Sequence, residues 1–396
     1  MNISTINLLA SFIEKKQYKG FDPHDFKATA FYLKTIAPNR FLKVGCDILN
    51  LTMPRVLRKT LGVKANLVFS GTLAYMLEGY CYMYRATQED TWYNKAIATY
   101  EQLQTMAITT YGGIGWGLPF GWQSSKEFFF SNQTPNIVNT AEVASAILEL
   151  YSISKSPEHL TCLEKITEFI TSGLKVTYED EATLCYSYTP VDNYQVHNAN
   201  LLAGATLVRI GTLTSNQKLI QLAHKIALFA AKDQTKAGYL PYYATSYANG
   251  SKAHSYDLYH SGYELRSLDC INKVVKDKAV ETCILQLRTF FNTFYFQKAY
   301  PLTSKISQVE KIDIHGCAEA IYCNTMLSQS FPEALALAKQ AADWTIKNMM
   351  TSKGYFHSSL TGIGFLKIRA RIIYMRWGQS VMFRALTKLY LAEKIG

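Results

Sequence analysis

The sequence predicts an all-α fold, a closed (α/α)6 toroid spanning residues 1–396 as one domain with short β-hairpins at one rim, and three observations carry that prediction. Six segments of like character recur at successive spacings of 67, 61, 59, 57 and 64 residues. Each is rich in Ala, Gly and Leu nearly all round, as a helix buried on every side would be. Between them lie helices with one apolar and one charged face. Two helices per repeat, one buried and one half-exposed, make an inner and an outer layer. A straight helical solenoid is the alternative, but it repeats faster, at about 34–47 residues.

Taken in order, the inner helices are predicted to begin near Val68 (VFSGTLAYMLEGYCYMY), Pro135 (PNIVNTAEVASAILELY), Val196 (VHNANLLAGATLVRI), Ser255 (SYDLYHSGYELRSLDCI), Ile312 (IDIHGCAEAIYCNTML) and Arg376 (RWGQSVMFRALTKLYL). Five outer helices follow from apolar periodicity. Val280, Cys283, Ile284, Leu287, Phe291 and Phe294 recur at helical spacing, as do Leu163, Ile166, Phe169 and Ile170. A sixth outer helix is expected from residues 25–60, and hairpins from 178–190 and 239–247. A chain of 396 residues has room for two or three domains of about 150, yet the repeat accounts for its whole length.

Composition narrows the partners. Hydrophobic residues make up 48% and charged residues 18%, which suits a large core and excludes a disordered chain. The net charge of +11 suits an anionic partner, although many basic proteins are simply basic. The eight Cys form no CxxC pair and most sit in apolar surroundings, reading as reduced thiols of a cytosolic protein. The start, MNISTINLLASFIEKK, lacks a basic n-region and a cleavage site, and no stretch reaches about 18 apolar residues. A cytoplasmic protein without a transmembrane segment is the expectation. The segment MPRVLRKTLGVK (53–64) is basic and amphipathic, suiting either a solvated face or a weak membrane-surface contact.

In such a ring the inner helices run the same way, so their N-termini share one face and a positive potential suited to carboxylate or sulfate groups. The conspicuous polar residues fall at those ends: Asn139, Asp192, His197, Asn198, Asp257, His260, Asp313, His315, Glu319 and Arg376. Trp116, Phe120, Trp122, Tyr188, Tyr243, Tyr256 and Tyr259 offer flat faces on which sugar rings stack. His24, His197, His254, His260 and His315 make five of the eight histidines in lead-ins or in FDPHD. Asp22, His197, Asp257, His260, Asp313 and His315 are expected to line one cavity. Plainer readings stand beside these: the aspartates suit helix N-caps, and the histidines suit hydrogen-bonded structural roles. The GGIGWG run (112–117) follows no strand and lacks a Lys-Ser/Thr end, so it is no nucleotide loop. No Cys/His spacing supports zinc. No cofactor, metal or nucleic-acid partner is expected.

The motifs GFDPHD (20–25), WGLPFGWQ (116–123), TPNIVNTAEVASAILELY (134–151), YSYTPVDNYQVHNANLLAGA (186–205), YDLYHSGYEL (256–265), IDIHGCAEAI (312–321) and YMRWGQSVMFRAL (374–386) resemble the VpsJ-like polysaccharide biosynthesis proteins. The resemblance implies a role in capsule, O-antigen or exopolysaccharide production, on a six-hairpin fold shared with glycoside hydrolases, polysaccharide lyases and glucuronyl C5-epimerases. One departure stands out. The family's Trp-x-Tyr-Gly-Glu segment is here YLPYYATSYANGSKAHSYDLYH (239–260), which has no Glu. The stretch LTSKISQVEK (302–311) also lacks the family's Tyr-Pro.

Two functions of different class follow. As an enzyme on an acidic oligo- or polysaccharide, the chain would be a uronate C5-epimerase or lyase. His197, His260, His315, Tyr188 or Tyr243 would then be the base, and Arg369, Arg371 or Arg376 would pair the carboxylate. A six-hairpin hydrolase would instead draw two carboxylates from Asp22, Asp25, Asp192, Asp257, Asp313 and Glu319. As a non-catalytic factor it would bind or help assemble glycan.

Overall fold

The computed structural model describes residues 2–123, 129–248, 255–298, 300–306, 309–364 and 366–395. The predicted inner helices are α4 (Ser70–Thr87), α6 (Ile137–Ser154), α8 (His197–Leu213), α10 (Leu258–Val275), α12 (Ile314–Leu327) and α14 (Val381–Ile395). A π-helical turn, Met375–Ser380, leads into α14. Each inner helix packs on the next, and α14 packs on α4, so the ring closes. The closed ring excludes an open solenoid. Burial nearly all round explains the small residues: on α12 every residue but Met326 is buried.

Five outer helices pair with the inner ones: α5 (Asp90–Gln104), α7 (Pro157–Glu168), α9 (Gln217–Asp233), α11 (Lys278–Tyr295) and α13 (Ala334–Met349). The inner-to-outer turns at α4, α6 and α10 pass through left-handed residues, Gln88, Lys155 and Lys276.

The sixth outer helix is not drawn from residues 25–60, which corrects the sequence-based expectation. It is α1 (Ile3–Lys15), whose Ile6, Leu9, Ala10 and Ile13 are buried in the main core and which packs on α14. Residues 25–61 form a separate unit containing α2 (Arg40–Thr52) and α3 (Pro54–Thr60), around a small core of Phe26, Tyr32, Ile36, Cys46 and Leu57. The strands also differ. Hairpins β1 (Trp122–Gln123)/β2 (Phe129–Phe130) and β3 (Val176–Glu179)/β4 (Leu184–Tyr186) stand apart from a four-stranded antiparallel sheet. That sheet runs β5 (Ser304–Ile306), β6 (Val309–Asp313), β7 (Ser359–Ile363), β8 (Leu366–Ala370). Residues 239–247 form no hairpin; Tyr243 makes only a bridge to Val196.

Buried charge fills the ring axis. Arg384 of α14 pairs with Glu142 of α6 and lies 3.5 Å from Glu78 of α4 and 3.8 Å from Glu319 of α12. Arg266 of α10 reaches Glu142 at 2.9 Å and Glu319 at 2.8 Å. Burial pushes the Glu319 carboxyl up to about 7. Closure also needs Gly79, because a Cβ there would stand 2.5 Å from the Phe383 ring and 3.1 Å from Thr387 Oγ1. We expect Gly79→Ala to destabilise the fold by about 1–3 kcal/mol through overpacking, measured by denaturant unfolding; an unchanged midpoint would mean that α4 and α14 separate freely.

Candidate functional site

The N-terminal ends of the inner helices surround a cavity of about 260 Å³. Its wall takes Tyr75 from α4, Asn139 from α6, Asn198 from α8, and Tyr259, His260 and Tyr263 from α10. The π-turn adds Arg376 and Trp377, β1 adds Trp122, and loops add His24, Tyr188 and Tyr242.

Behind His260, Asp257 caps α10. Its Oδ1 accepts from the His260 backbone N–H at 2.9 Å, and its Oδ2 lies 2.8 Å from His260 Nδ1. An ionised carboxylate only accepts, so Nδ1 carries the proton and Nε2 presents a lone pair. That is the form of a general base with its orienting partner. Arg376 is held by the fully buried Asp22, whose Oδ2 accepts from Nε at 2.8 Å and from Nη2 at 2.6 Å. The GFDPHD loop is itself anchored from below. Arg58 donates to the Asp22 carbonyl at 2.7 Å and pairs with Asp25 at 2.8 Å. Burial nonetheless pushes the Asp25 carboxyl up to about 6.

Behind the wall, His315 is buried and stacks on Trp377, with ring centroids 4.1 Å apart. Its Nδ1 lies 3.1 Å from the Trp377 carbonyl, which can only accept, so Nδ1 is protonated and Nε2 accepts from the Tyr263 hydroxyl. Burial lowers the pKa of His315 well below the ordinary imidazole value, which keeps it neutral. His24 sits between Trp122 and Trp377, and burial lowers it to about 4. Its Nδ1 and the Asn198 Oδ1 make no hydrogen bond among the described residues. Both are buried atoms of residues in the cavity wall, so each is an open position for a polar ligand. Tyr188, in the same wall, is pushed by burial up to about 12 and stays a neutral phenol.

Of the six residues expected to line one cavity, only His260 does so. Asp257, Asp22 and His315 stand one side chain behind it, through His260, Arg376 and Tyr263. Asp313 caps α12 and accepts from Trp377 Nε1 at 3.1 Å, facing a neighbouring cavity of about 390 Å³. His24, Tyr259 and Trp377 are common to both cavities. His197 is buried, lies 2.7 Å from Asp233 of α9 and does not line the cavity.

Among the expected binding residues, Trp122, Asn139, Asn198, Tyr188 and Arg376 reach the cavity; Trp116, Asp25, Asp192 and Tyr243 do not. Trp116 is fully buried in the core and donates to the Leu103 carbonyl. Asp192 is spent on four hydrogen bonds that close loop 188–194. Tyr243 packs on Tyr194 and Tyr247, and its neighbour Tyr242 takes the cavity position. Arg369 donates to the Asn348 carbonyl, and neither it nor Arg371 lines the cavity. His254 lies outside the described residues. Sequence reasoning missed Tyr263 and Tyr75. The signal for Tyr263 was its position four residues beyond Tyr259 on one helix face.

No protein-family model matches the chain, and no curated protein matches it in sequence. Solved structures do match in shape. A cellobiose 2-epimerase from Bacillus thermoamylovorans is 14% identical with a TM-score of 0.61, over 82% of this chain and 88% of that one. A GH76 α-mannanase from Bacteroides thetaiotaomicron is 12% identical with a TM-score of 0.64, over 83% and 87%. A D-mannose isomerase is 11% identical with a TM-score of 0.61, over 83% and 88%. The fold these similarities define is the six-hairpin (α/α)6 toroid.

The site's electrostatics predict a pH effect. The folded site refuses a proton that the unfolded chain binds on His24 between pH 6.5 and about 4. Stability on this account is full above 6.5 and is lost as pH falls through that window. His24→Asn should flatten the slope, read as Tm across the window; an unchanged slope would place the effect elsewhere.

Proposed function

We propose that this protein is a carbohydrate-active enzyme of bacterial surface-polysaccharide production, acting on a uronate-containing glycan by proton transfer at C5, as an epimerase or lyase. One observation carries the reading. Among the described residues the cavity wall has no Asp or Glu, yet it holds a histidine oriented by a half-buried aspartate together with a guanidinium. A glycosidase needs two carboxyl groups about 5–9.5 Å apart across the bond. Three carboxylates stand one side chain behind the wall, Asp257, Asp22 and Asp313, and they are engaged by His260, Arg376 and Trp377.

In the proposed reaction His260 Nε2 removes the proton next to the uronate carboxylate, and Asp257 stabilises the imidazolium that forms. Arg376, whose Nε and Nη2 are fixed by Asp22, offers Nη1 to the carboxylate and holds the enolate-like charge. That charge is discharged by return of a proton to C5 from the opposite face in an epimerase, or by loss of the C4 oxygen with formation of the C4=C5 bond in a lyase. The positive ends of the inner helices add to that field. Trp122, Tyr188 and Tyr259 supply faces for the sugar, and Asn139 and Asn198 supply amides for its hydroxyls. The resemblance of seven motifs to VpsJ-like proteins and the net charge of +11 support the pathway and the acidic substrate. A sugar epimerase and a sugar isomerase are among the proteins of like fold, beside glycoside hydrolases, and support the reaction class.

Incubation of a uronate-bearing surface glycan with the enzyme in D2O should place deuterium at C5 or yield a 4,5-unsaturated end. His260→Asn should lower kcat by about 10²-fold or more with the fold intact. New reducing ends without deuterium would identify a hydrolase. Glycan binding with neither signal would identify a binding or assembly factor.

A further inference from the structure

Helix α2 faces the wrong way for a globular surface helix. Such a helix ordinarily turns its apolar stripe to the core. On α2, Phe41, Val44 and Ile48 recur at i, i+3 and i+7, and they are 88%, 53% and 55% exposed. Cys46 is the only buried residue among those of α2 whose side chains are described. On the side toward the protein stands Asn50, which accepts a hydrogen bond from Arg58. The apolar half of this helix is therefore presented to solvent.

The patch continues onto a second element. Strand β8 lies beside α2, and the β7–β8 hairpin exposes Ile363, Leu366 and Ile368 at 56%, 70% and 68%. Of the twenty exposed large apolar side chains among the described residues, eight fall in residues 31–56 and three in residues 363–368. Exposed apolar residues are normally scattered singly, and clustering marks an interaction surface.

Charge identifies the occupant. Residues 31–60 carry five exposed Lys or Arg (34, 40, 43, 55 and 59) against Asp47 alone, a balance of 5 − 1 = +4; Arg58 is buried and paired with Asp25. Residues 359–371 add the exposed Arg369 and Arg371 and no acid, while Lys367 is paired with Glu310. A second copy of the chain would set like charge against like charge across a two-fold interface. An outward apolar half-cylinder ringed by Lys and Arg has instead the pattern of a helix lying in the plane of an anionic bilayer.

We infer that α2, with Ile363 of β7 and Leu366 and Ile368 of β8, forms a docking face for an anionic lipid bilayer. Asp47 and Asn50 of α2 and Pro54 of α3 also line the cavity that shares His24, Tyr259 and Trp377 with the candidate site. Docking therefore brings the rim of that site to the membrane surface, where a glycan carried on a lipid would meet it.

Co-sedimentation of the full chain with vesicles tests this. Vesicles of phosphatidylcholine with phosphatidylglycerol should bind the chain about tenfold or more tightly than phosphatidylcholine alone, and high salt should weaken that binding. The double substitution Phe41→Ser, Ile48→Ser removes only exposed side chains. It should reduce partitioning about tenfold or more, with circular dichroism and Tm unchanged. Failure of the chain to bind the anionic vesicles, or equal binding by the double variant, would overturn the proposal. So would a wild-type dimer in sedimentation velocity that the double substitution converts to monomer, since the face would then belong to a second copy. The readout is independent of turnover.

Discussion

Five of the six inner helices are tied together by one layer of buried charge, and the position of everything above that layer follows from it. Taking an ion out of water costs several kcal/mol unless partners replace the solvent, so paired groups fix the register of the elements that carry them. Arg384 and Arg266 between them engage Glu78, Glu142 and Glu319, which come from α4, α6 and α12. Three carboxylates face two guanidiniums, and the rise of Glu319 to about 7 relieves the excess negative charge. The layer is also the floor of the site. Tyr75 lies over Arg384 at 4.3 Å and Tyr263 over Arg266 at 5.0 Å, and both rings face the cavity.

Much of this was legible in the sequence because burial on all sides leaves a compositional mark. The inner helices begin at 70, 137, 197, 258 and 314, each within three residues of expectation, and the sixth begins as the π-turn at 375. The sixth outer helix was not legible, because periodicity reports that a helix has an apolar face but not which way it looks. Residues 40–52 have such a face and turn it outward, whereas Ile6, Leu9, Ala10 and Ile13 supplied the true one. The four-stranded sheet left little signal, since β8 is largely exposed and β5 is only three residues long.

The site divides along similar lines. Residue types at the inner-helix starts pointed to the right end of the ring, but their side-chain directions depend on helical phase. His260 is the third residue after its capping Asp257, whereas His315 is the second after Asp313. One residue turns a helix by about 100°, enough to move an imidazole from the cavity wall to the space behind it. In the extended lead-in, successive side chains point to opposite sides, so Tyr242 rather than Tyr243 faces inward.

Closure of the ring by α14 has a consequence for how the molecule is made. The segment that completes the axis, Val381–Ile395, packs on α4 and on α1, more than 290 residues earlier in the chain. Contacts of that separation form late, because loop-closure entropy must be met before they contribute. A nascent chain that has produced five hairpins still exposes the seat of Phe383 on α4 and leaves Glu78, Glu142 and Glu319 without Arg384. Assembly therefore ends in a single closing event. The partly built ring, with its apolar inner walls open, is the species for which chaperones and proteases would compete.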